Sequence, residues 1–520
     1  MSEFTDGPQA WVGAWSEKRA QLTPDRVGLV DATTGERFTY ATLDRRANRA
    51  SRLLRAAGVE RGDRVAVVSR NRPELVDLFL ATAKTGSALA PLSHRLAPPE
   101  LAALVDRVDP DLLAVESPFL PETRSALADA DTAAPTVLGI EAGDDAGTGD
   151  APADTATYAA ELPDDDSSVA TPDLAPDDTH LLLHTGGSTG TPKETAVSHR
   201  AVVWNSLNTI VSWGLRDDDV TPLTFPMFHT GGWNVVTVPV WHMGGTVVIA
   251  REFDPGQLLA TVEREGATVL VAVPAVLRML TDHDDWVATD LSSLRLVKSG
   301  GGPCRGSVME TWWDRGIDLS QGYGLTECGP NNFAMPDGWP GTKADTVGKP
   351  AMHVDARIVD DGEPVETGAV GELELRSPHA ATGYLDSEES AATFGSGWVS
   401  TGDLASVDAD GYYRIEGRKK DMFVSGGENV YPAEIESVLT EHDQIDEVVV
   451  VPVADDRWGE VGKAVVEGDN SLTLADIESF CEGRLAGYKV PKHLAFVDEM
   501  PTSGPEKVDR QAIGERFGSE

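Results

Sequence analysis

Leu181-Leu-Leu-His-Thr-Gly-Gly-Ser-Thr-Gly-Thr-Pro-Lys-Glu-Thr-Ala-Val-Ser-His199 is the stretch on which the reading of this chain turns. A short apolar run ends in a loop of glycine, serine and threonine, and a lysine follows. Small residues let the backbone approach a bulky anion, and their N–H and O–H groups can donate to phosphate oxygens. Thr185, Gly186, Gly187, Ser188, Thr189 and Gly190 are the candidate donors, and Lys193 supplies a positive charge. The spacing is not that of a Walker P-loop, Gly-x-x-x-x-Gly-Lys-Ser/Thr. Taken alone, such a loop is as a rule a plain turn, so its weight comes from the rest of the chain.

The chain has 520 residues, enough for two or more domains with sizeable cores. Its hydrophobic fraction of 41% fits a globular protein. There is no run of 18 apolar residues, and the acidic start Met1-Ser-Glu-Phe-Thr-Asp-Gly7 lacks a signal-peptide core, so a soluble cytoplasmic protein is expected. The net charge of −42 is spread along the chain, with 12 lysines against 31 arginines. Such a surface repels nucleic acid and anionic membranes. It suits a cell with molar internal salt, where the Debye length shrinks to about 3 Å, and a halophilic source is expected. Against that scarcity, Lys193, Lys419, Lys420 and Lys507 all fall in motif-like segments. Cys304, Cys328 and Cys481 lie far apart, with no Cys-x-x-Cys pair, and read as buried thiols.

Along the chain, residues 11–60 read as helical with one extended interruption near Arg37–Tyr40. Strand-like runs at Asp63–Ser69, Ala88–Leu92 and Asp111–Glu116 alternate with helical spacing over Pro73–Lys84 and Pro98–Val108. That alternation predicts a parallel α/β sheet. Ala142–Asp178 breaks the pattern and reads as a long acidic loop or linker. Beyond Leu181 the alternation resumes: strand Gly245–Ala250, helix Pro255–Glu265, strand Thr268–Val273, helix Pro274–Thr281, strand Leu294–Lys298. The last strand runs into Gly300-Gly301-Gly302, and a glycine-ended strand is where open α/β sheets place ligands. Val354–Arg376 changes to short strands with Gly and Pro turns. After Arg418 a compact α+β unit of about a hundred residues begins.

Four further segments accompany the loop in order: Phe225-Pro-Met-Phe-His-Thr-Gly-Gly232, Gln321-Gly-Tyr-Gly-Leu-Thr-Glu327, Ser400-Thr-Gly-Asp403, and Gly417-Arg-Lys-Lys-Asp-Met-Phe-Val-Ser-Gly-Gly-Glu-Asn-Val-Tyr-Pro432. The set resembles the adenylate-forming superfamily, and within it the acyl-CoA synthetases. The resemblance spans nearly the whole chain. It implies an α/β fold with a large N-terminal adenylation domain, residues 1–419, built of parallel α/β subdomains and a small β-rich subdomain. A small mobile α+β C-terminal domain, residues 420–520, completes it. It also implies a reaction: a carboxylate and ATP give an acyl-adenylate and pyrophosphate, and coenzyme A then displaces AMP. Two anions must meet in the first half, so catalysis is mostly positioning and charge neutralisation.

The resemblance assigns roles. Thr185–Gly190 and Lys193 would hold the β- and γ-phosphates. Thr326 and Glu327 would contact the α-phosphate and Mg2+, which prefers oxygen ligands. Gly322, Tyr323 and Gly324 would lie on one adenine face and Gly300–Gly302 on the other. Asp403 would accept from the ribose hydroxyls, and Arg418 would reach ribose and phosphate, with a structural salt bridge as its competing role. His229 would sit beside the substrate carboxylate. Lys420 would be the hinge, Ser425, Gly426 and Gly427 would line the pantetheine channel, and Lys507 would bridge carboxylate and α-phosphate during adenylation. Three departures from the pattern stand out: Gly186 for serine, Glu194 for glycine, and Pro505-Glu506 ahead of Lys507.

The acyl pocket would lie behind the helix after His229, with Gly231 and Gly232 leaving room and Trp233, Val235, Val236 and Val238 lining it. An apolar lining suits an alkyl or aryl chain. A medium- or long-chain fatty acid is the expectation, with Trp233 able to shorten the tunnel. An aromatic acid (a cinnamate, a benzoate or succinylbenzoate) is the rival, and a non-catalytic nucleotide-binding relative the reading from another class. The partners expected are the acid, ATP and CoA, with no nucleic acid and no membrane span; a homodimer is allowed.

Overall fold

The computed structural model describes residues 12–141, 155–185, 193–455, 457–502 and 508–518. The strand Thr179–Thr185, which leads into the glycine-rich loop, lies inside a seven-stranded sheet. The order across it is Gly383–Tyr384, Lys193–Ser198, Thr179–Thr185, Ala88–Leu92, Arg64–Val68, Leu112–Glu116, Thr136–Ile140. The last five run parallel. Lys193–Ser198 folds back antiparallel, so that Thr185 and Lys193 are register partners.

Alternate residues of these strands feed two cores, as the period of two requires. Val65, Val67, Leu89, Leu181 and Leu183 pack on one face with the helices Tyr40–Ala56 and Pro73–Thr85. Ala66, Val68, Ala90, Leu92 and Leu182 pack on the other with Pro98–Val108 and Leu120–Asp129. The helix ends follow local chemistry: Thr39 caps the first of these helices by accepting from Thr42 N, and Gly86 (φ 78°) ends the second in the left-handed region.

A four-stranded sheet runs Arg37–Thr39, Val27–Asp31, Thr246–Ile249, Val220–Pro222. Here residues 11–60 depart from the expectation, because Val27–Asp31 is a strand and not helix. It pairs parallel with Thr246–Ile249, placing Leu29 opposite Val247. A five-residue apolar run has no period long enough to separate strand from helix, and its partner lies far away in sequence. A three-stranded parallel sheet, Val269–Ala272, Leu296–Ser299 and Leu319–Gln321, carries the second glycine loop at its carboxyl edge. The texture change after Val354 is an antiparallel sheet: Glu363–Pro364, Asp355–Asp360, Gly371–Arg376, Val399–Val407, Tyr413–Arg418.

After Arg418 the chain passes through a single 3-10 turn, Lys419–Asp421, into a separate sheet. Its strands are Glu428–Val430, Phe423–Ser425, Gly459–Gly468 and Ile445–Asp455, with His493–Phe496 added parallel to Gly459–Gly468. The helices Pro432–Leu439 and Leu474–Cys481 cover one face through Ile435, Leu439 and Ile477. No helix among the described residues is long and apolar enough to cross a membrane.

The segment read as a long acidic loop or linker is an irregular strap in its second half, tied down at several points; its first half, residues 142–154, lies outside the described residues. Tyr158 is buried and its Oη donates to Asp77 Oδ2 at 3.1 Å. Arginines on one face of Tyr40–Ala56 then hold the strap down. Arg49 donates to Pro163 O (2.6 Å), Arg52 to Ser167 O (2.7 Å) and Arg55 to Ala170 O (2.6 Å). Two of its carboxylates also meet cations on that helix, Asp165 with Arg52 at 3.0 Å and Asp166 with Arg45 at 3.5 Å.

Candidate functional site

The two ends of the glycine-rich loop are pinned side by side by the Thr185–Lys193 pairing. Gly186, Gly187, Ser188, Thr189 and Gly190 themselves lie outside the described residues. Against this end sits the 3-10 turn Thr326–Cys328. Glu327 Oε1 accepts from Tyr384 Oη at 2.8 Å and from Thr185 Oγ1 at 3.3 Å. Both bonds fall on one oxygen, and a carboxylate so oriented, beside a hydroxyl-rich loop, fits the oxygen donors a hard cation takes. Lys193 Nζ lies 4.8 Å above the Tyr384 ring and 3.6 Å from Glu389 Oε1. Tyr384 occupies the edge strand that pairs with Lys193–Ser198. Burial first, and then the Glu327 charge, push its phenol above its usual range, so it remains a donor. Neither Tyr384 nor Glu389 was foreseen; their one sequence signal is nearness to the end of a Gly-Tyr strand, and only the pairing places them here.

Glu194, the departure after the lysine, is buried with Arg107 3.4 Å away. Burial raises its carboxyl pKa.

Two glycine loops leave the carboxyl ends of adjacent strands, as ligand sites of open sheets do. Gly300 N donates to Ala272 O and Gly322 N to Ser299 O (2.7 Å), which fixes their starts. A side chain at Gly300 or Gly302 would meet nothing within 4 Å, and Gly301 holds φ 86°. That is an open shelf. Gly324 differs: a side chain there would meet Pro330 O at 1.9 Å. Its smallness serves the chain folding back on itself, which corrects its expected place against a ligand.

Asp403 and Arg418 are register partners on neighbouring strands, and Arg418 Nε lies 2.8 Å from Asp403 Oδ1. Tyr323 Oη donates to Asp403 Oδ2 at 2.5 Å. Burial, then the Asp403 charge, hold this phenol well above its usual range. The three residues expected around a nucleoside are thus brought together, with Arg418 in the ion pair that was its competing role.

His229 stands in a run of rings at the carboxyl edge of the seven-stranded sheet. Its centroid is 4.4 Å from Phe228 and 5.8 Å from His184. Phe228 lies 5.6 Å from His94, and His94 lies 4.8 Å from Phe119. Burial drives both His184 and His94 down to about 4, so both imidazoles are neutral at pH 7. The predicted helix after His229 begins as a π-turn, Gly231–Val235, before the α-helix Thr237–Met243, an irregularity frequent at functional sites.

The residues expected to line an alkyl tunnel are packed into the core. Trp233 is fully buried, stacked on Phe79 at 4.3 Å, with Nε1 donating to Met227 O at 2.6 Å. Val235, Val236 and Val238 share that core. A side chain at Gly232 would meet Met227 Cα and Pro226 O, each at 2.5 Å, and one at Gly231 the Phe225 ring at 2.8 Å. The space these glycines leave is filled by the protein itself.

In the C-terminal unit, Lys420 is exposed in the turn between the two sheets. Gly426 (φ 61°) and Gly427 (φ 91°) form the exposed two-residue turn of the hairpin Phe423–Ser425 and Glu428–Val430, a geometry that needs positive φ at both positions. Ser425, expected to line a channel, is buried instead. Lys507 lies outside the described residues.

Comparison with known proteins decides the family. The model of the AMP-binding enzyme family matches residues 16–385, and that of the AMP-binding enzyme C-terminal domain matches residues 434–507. The chain belongs to the AMP-binding enzyme family. It is 36% identical to a feruloyl-CoA synthase of an Amycolatopsis species, over 98% of this chain and 99% of that one. It is also 36% identical to an indoleacetate–CoA ligase of Aromatoleum aromaticum, over 96% of each. Among solved structures, the anthranilate CoA ligase AuaEII in complex with anthranoyl-AMP superposes with a TM-score of 0.89, at 25% identity, covering 99% and 98% of the two chains. The fold is the mixed α/β adenylate-forming fold with a large N-terminal and a small C-terminal domain. The enzyme is an AMP-forming acid–thiol ligase, and ATP, Mg2+ and CoA are the co-substrates of such ligases.

Proposed function

We propose that this enzyme activates an aromatic carboxylic acid, making its acyl-adenylate and then its CoA thioester. The observation that carries this reading is the run of rings Phe119, His94, Phe228, His184 and His229, joined to the Glu327 turn through Thr185, the residue after His184. A wall of rings offers a flat substrate ring offset or edge contacts, at centroid separations of about 4.5–7 Å. The relatives named for feruloyl and indoleacetate substrates point the same way. The fatty-acid expectation loses its support because Trp233, Val235, Val236 and Val238 pack into the core.

In this reading Thr185 and Lys193 grip the terminal phosphates, with Gly186, Gly187, Ser188, Thr189 and Gly190. Glu327 would hold Mg2+, which would offset phosphate charge, and Thr326 would meet the α-phosphate. Gly300–Gly302, Gly322, Tyr323, Asp403 and Arg418 hold the nucleoside. Binding of ATP draws Lys193 away from Glu389 and the ribose hydroxyls share Asp403 with Tyr323. His229 orients the carboxylate. The C-terminal domain, from residue 420, turns about Lys420, presenting Lys507 for adenylation and the Gly426-Gly427 turn for the thioester step. The enzyme works in the cytoplasm of a halophile, where high salt screens its −42 charge.

Pyrophosphate release across a panel of acids, with and without CoA and at molar salt, tests this. Cinnamates and arylacetates should be turned over with kcat/KM at least about tenfold above octanoate and palmitate, the scale of one lost ring contact set. A preference for the alkyl acids would overturn the aromatic reading and restore the fatty-acid one. Full folding and activity in dilute buffer would overturn the halophilic one.

A further inference from the structure

Between the His229 turn and the Thr326–Cys328 turn lies a cluster of buried asparagines. The π-turn Gly231–Val235 leaves backbone carbonyls without regular helical partners, and side chains take them up. Asn205 Nδ2 donates to Asn234 O at 2.6 Å, and Asn331 Nδ2 donates to Val235 O at 2.9 Å and to Thr209 Oγ1 at 2.7 Å. Asn332 Nδ2 donates to Cys328 O at 3.0 Å. A carbonyl accepts only from the amide nitrogen, so these bonds settle which way Asn205 and Asn332 point. The consequence is three side-chain oxygens left over. Asn205 Oδ1, Asn234 Oδ1 and Asn332 Oδ1 are buried and have no hydrogen-bond partner among the described residues. Asn205 is 2% exposed, Asn234 3% and Asn332 0%. Native interiors seldom leave such acceptors unmade, because each costs the desolvation of a carbonyl.

Their position ties them to the acyl site. Gly329 directly follows the Thr326–Cys328 turn and holds φ 72°. A side chain there would stand 2.7 Å from His379 Cδ2 and 3.1 Å from Asn205 Oδ1, so this glycine lets the turn pack close against that buried oxygen. Asn234 belongs to the turn that starts two residues past His229, and its Nδ2 reaches back to Thr230 Oγ1 at 3.2 Å.

Resting on the aromatic-acid reading above, we propose that Asn205 is a specificity-determining residue: its Oδ1, helped by Asn234 Oδ1 of the same cluster, accepts a hydrogen bond from a donor on the substrate ring. The donor is a ring hydroxyl or a ring N–H. An acid lacking it leaves the oxygens bare and is rejected, since a site built to hydrogen-bond a substrate group discriminates strongly against the analogue without it.

Two matched pairs test this on the intact enzyme: 4-coumarate against cinnamate, and indole-3-acetate against benzothiophene-3-acetate. The wild type should prefer the donor-bearing member of at least one pair by about 10²-fold in kcat/KM. The pair that discriminates identifies the donor as hydroxyl or N–H. Asn205→Leu, which is nearly isosteric, should bring that ratio to about threefold or less by losing the donor-bearing acid while sparing its analogue and the KM for ATP. A merely structural role would depress both acids together. Asn234→Thr, a second variant, should shrink the ratio if Asn205→Leu fails to fold. Ratios near one for both pairs in the wild type, or a ratio that survives the substitutions, overturn the proposal and leave the cluster to bound water. If no aromatic acid releases pyrophosphate and octanoate does, the aromatic reading itself has fallen, a result distinct from two aromatic acids used equally.

Discussion

Tyr384→Phe isolates one hydrogen bond at the centre of the phosphate end. The substitution keeps the ring under Lys193 Nζ, 4.8 Å away, and keeps the edge-strand pairing with Lys193–Ser198. It deletes only the hydroxyl that donates to Glu327 Oε1 at 2.8 Å. A hydrogen bond to a charged group contributes about 1.5–3 kcal/mol, and each 1.36 kcal/mol is a factor of ten in rate. The remaining bond, from Thr185 at the longer distance of 3.3 Å, keeps part of the orientation. The expected loss is therefore in the lower half of that range, about 13- to 45-fold in kcat/KM for MgATP. The assay is pyrophosphate release, run against Mg2+ concentration, beside thioester formation from preformed acyl-adenylate. Half-saturation for Mg2+ should rise, and the thioester step should change by less than about threefold, because the role proposed for Glu327 belongs to the first half-reaction. Equal losses in both halves, or no loss in either, would refute the placement of Tyr384 as the residue that orients Glu327.

Lys507→Ala should slow adenylation by about 10²–10³-fold, the scale of one preorganised donor lost, while thioester formation from preformed acyl-adenylate is nearly spared; single-turnover assays of each half separate the two. Trp233→Ala should cost about 3–5 kcal/mol in urea unfolding, as for other buried aromatic truncations, and should not widen the range of alkyl chain lengths accepted, because the indole is stacked in the core on Phe79. Acid should destabilise the fold in a defined window. Burial holds His180, His184 and His242 near 4 and His379 near 3, whereas an unfolded histidine titrates near 6.5. The unfolded chain then binds more protons below that value, so stability is complete above pH 6.5 and falls as the pH drops toward 4. Each histidine adds a slope of about 1.4 kcal/mol per pH unit, readable as a decline in the urea midpoint at fixed high salt.

Much of the fold was legible where proline and glycine punctuate a periodic run. Pro98–Val108 and Pro255–Glu265 open on proline, and the strand Ala88–Leu92 follows directly on Gly86-Ser87; their bounds match the structure. Val27–Asp31 escaped because its identity as a strand is conferred by Thr246–Ile249, not by its own five residues. The anchoring of the strap after Thr155 escaped because composition counts its own charges and omits the arginines of Tyr40–Ala56, which meet its carboxylates and carbonyls.

The site shows the same divide more sharply, and glycine is where it becomes physical. Gly300, Gly302, Gly231, Gly232 and Gly324 all read alike in the sequence, as places where something must come close. The structure separates them by what a side chain would strike. At Gly300 and Gly302 it would strike nothing, so the room is open to a ligand. At Gly232 and Gly324 it would strike the protein's own backbone, and at Gly231 the Phe225 ring, so the room is already spent on packing. A one-dimensional pattern carries the demand for closeness and not the identity of what approaches. That identity comes from strand order, which also brought Tyr384 to Glu327 across a pairing the sequence does not announce. Gly329 joins the packed group through His379 Cδ2 at 2.7 Å, yet a side chain there would also come within 3.1 Å of Asn205 Oδ1, a buried acceptor with no partner among the described residues, so at this glycine packing borders on recognition.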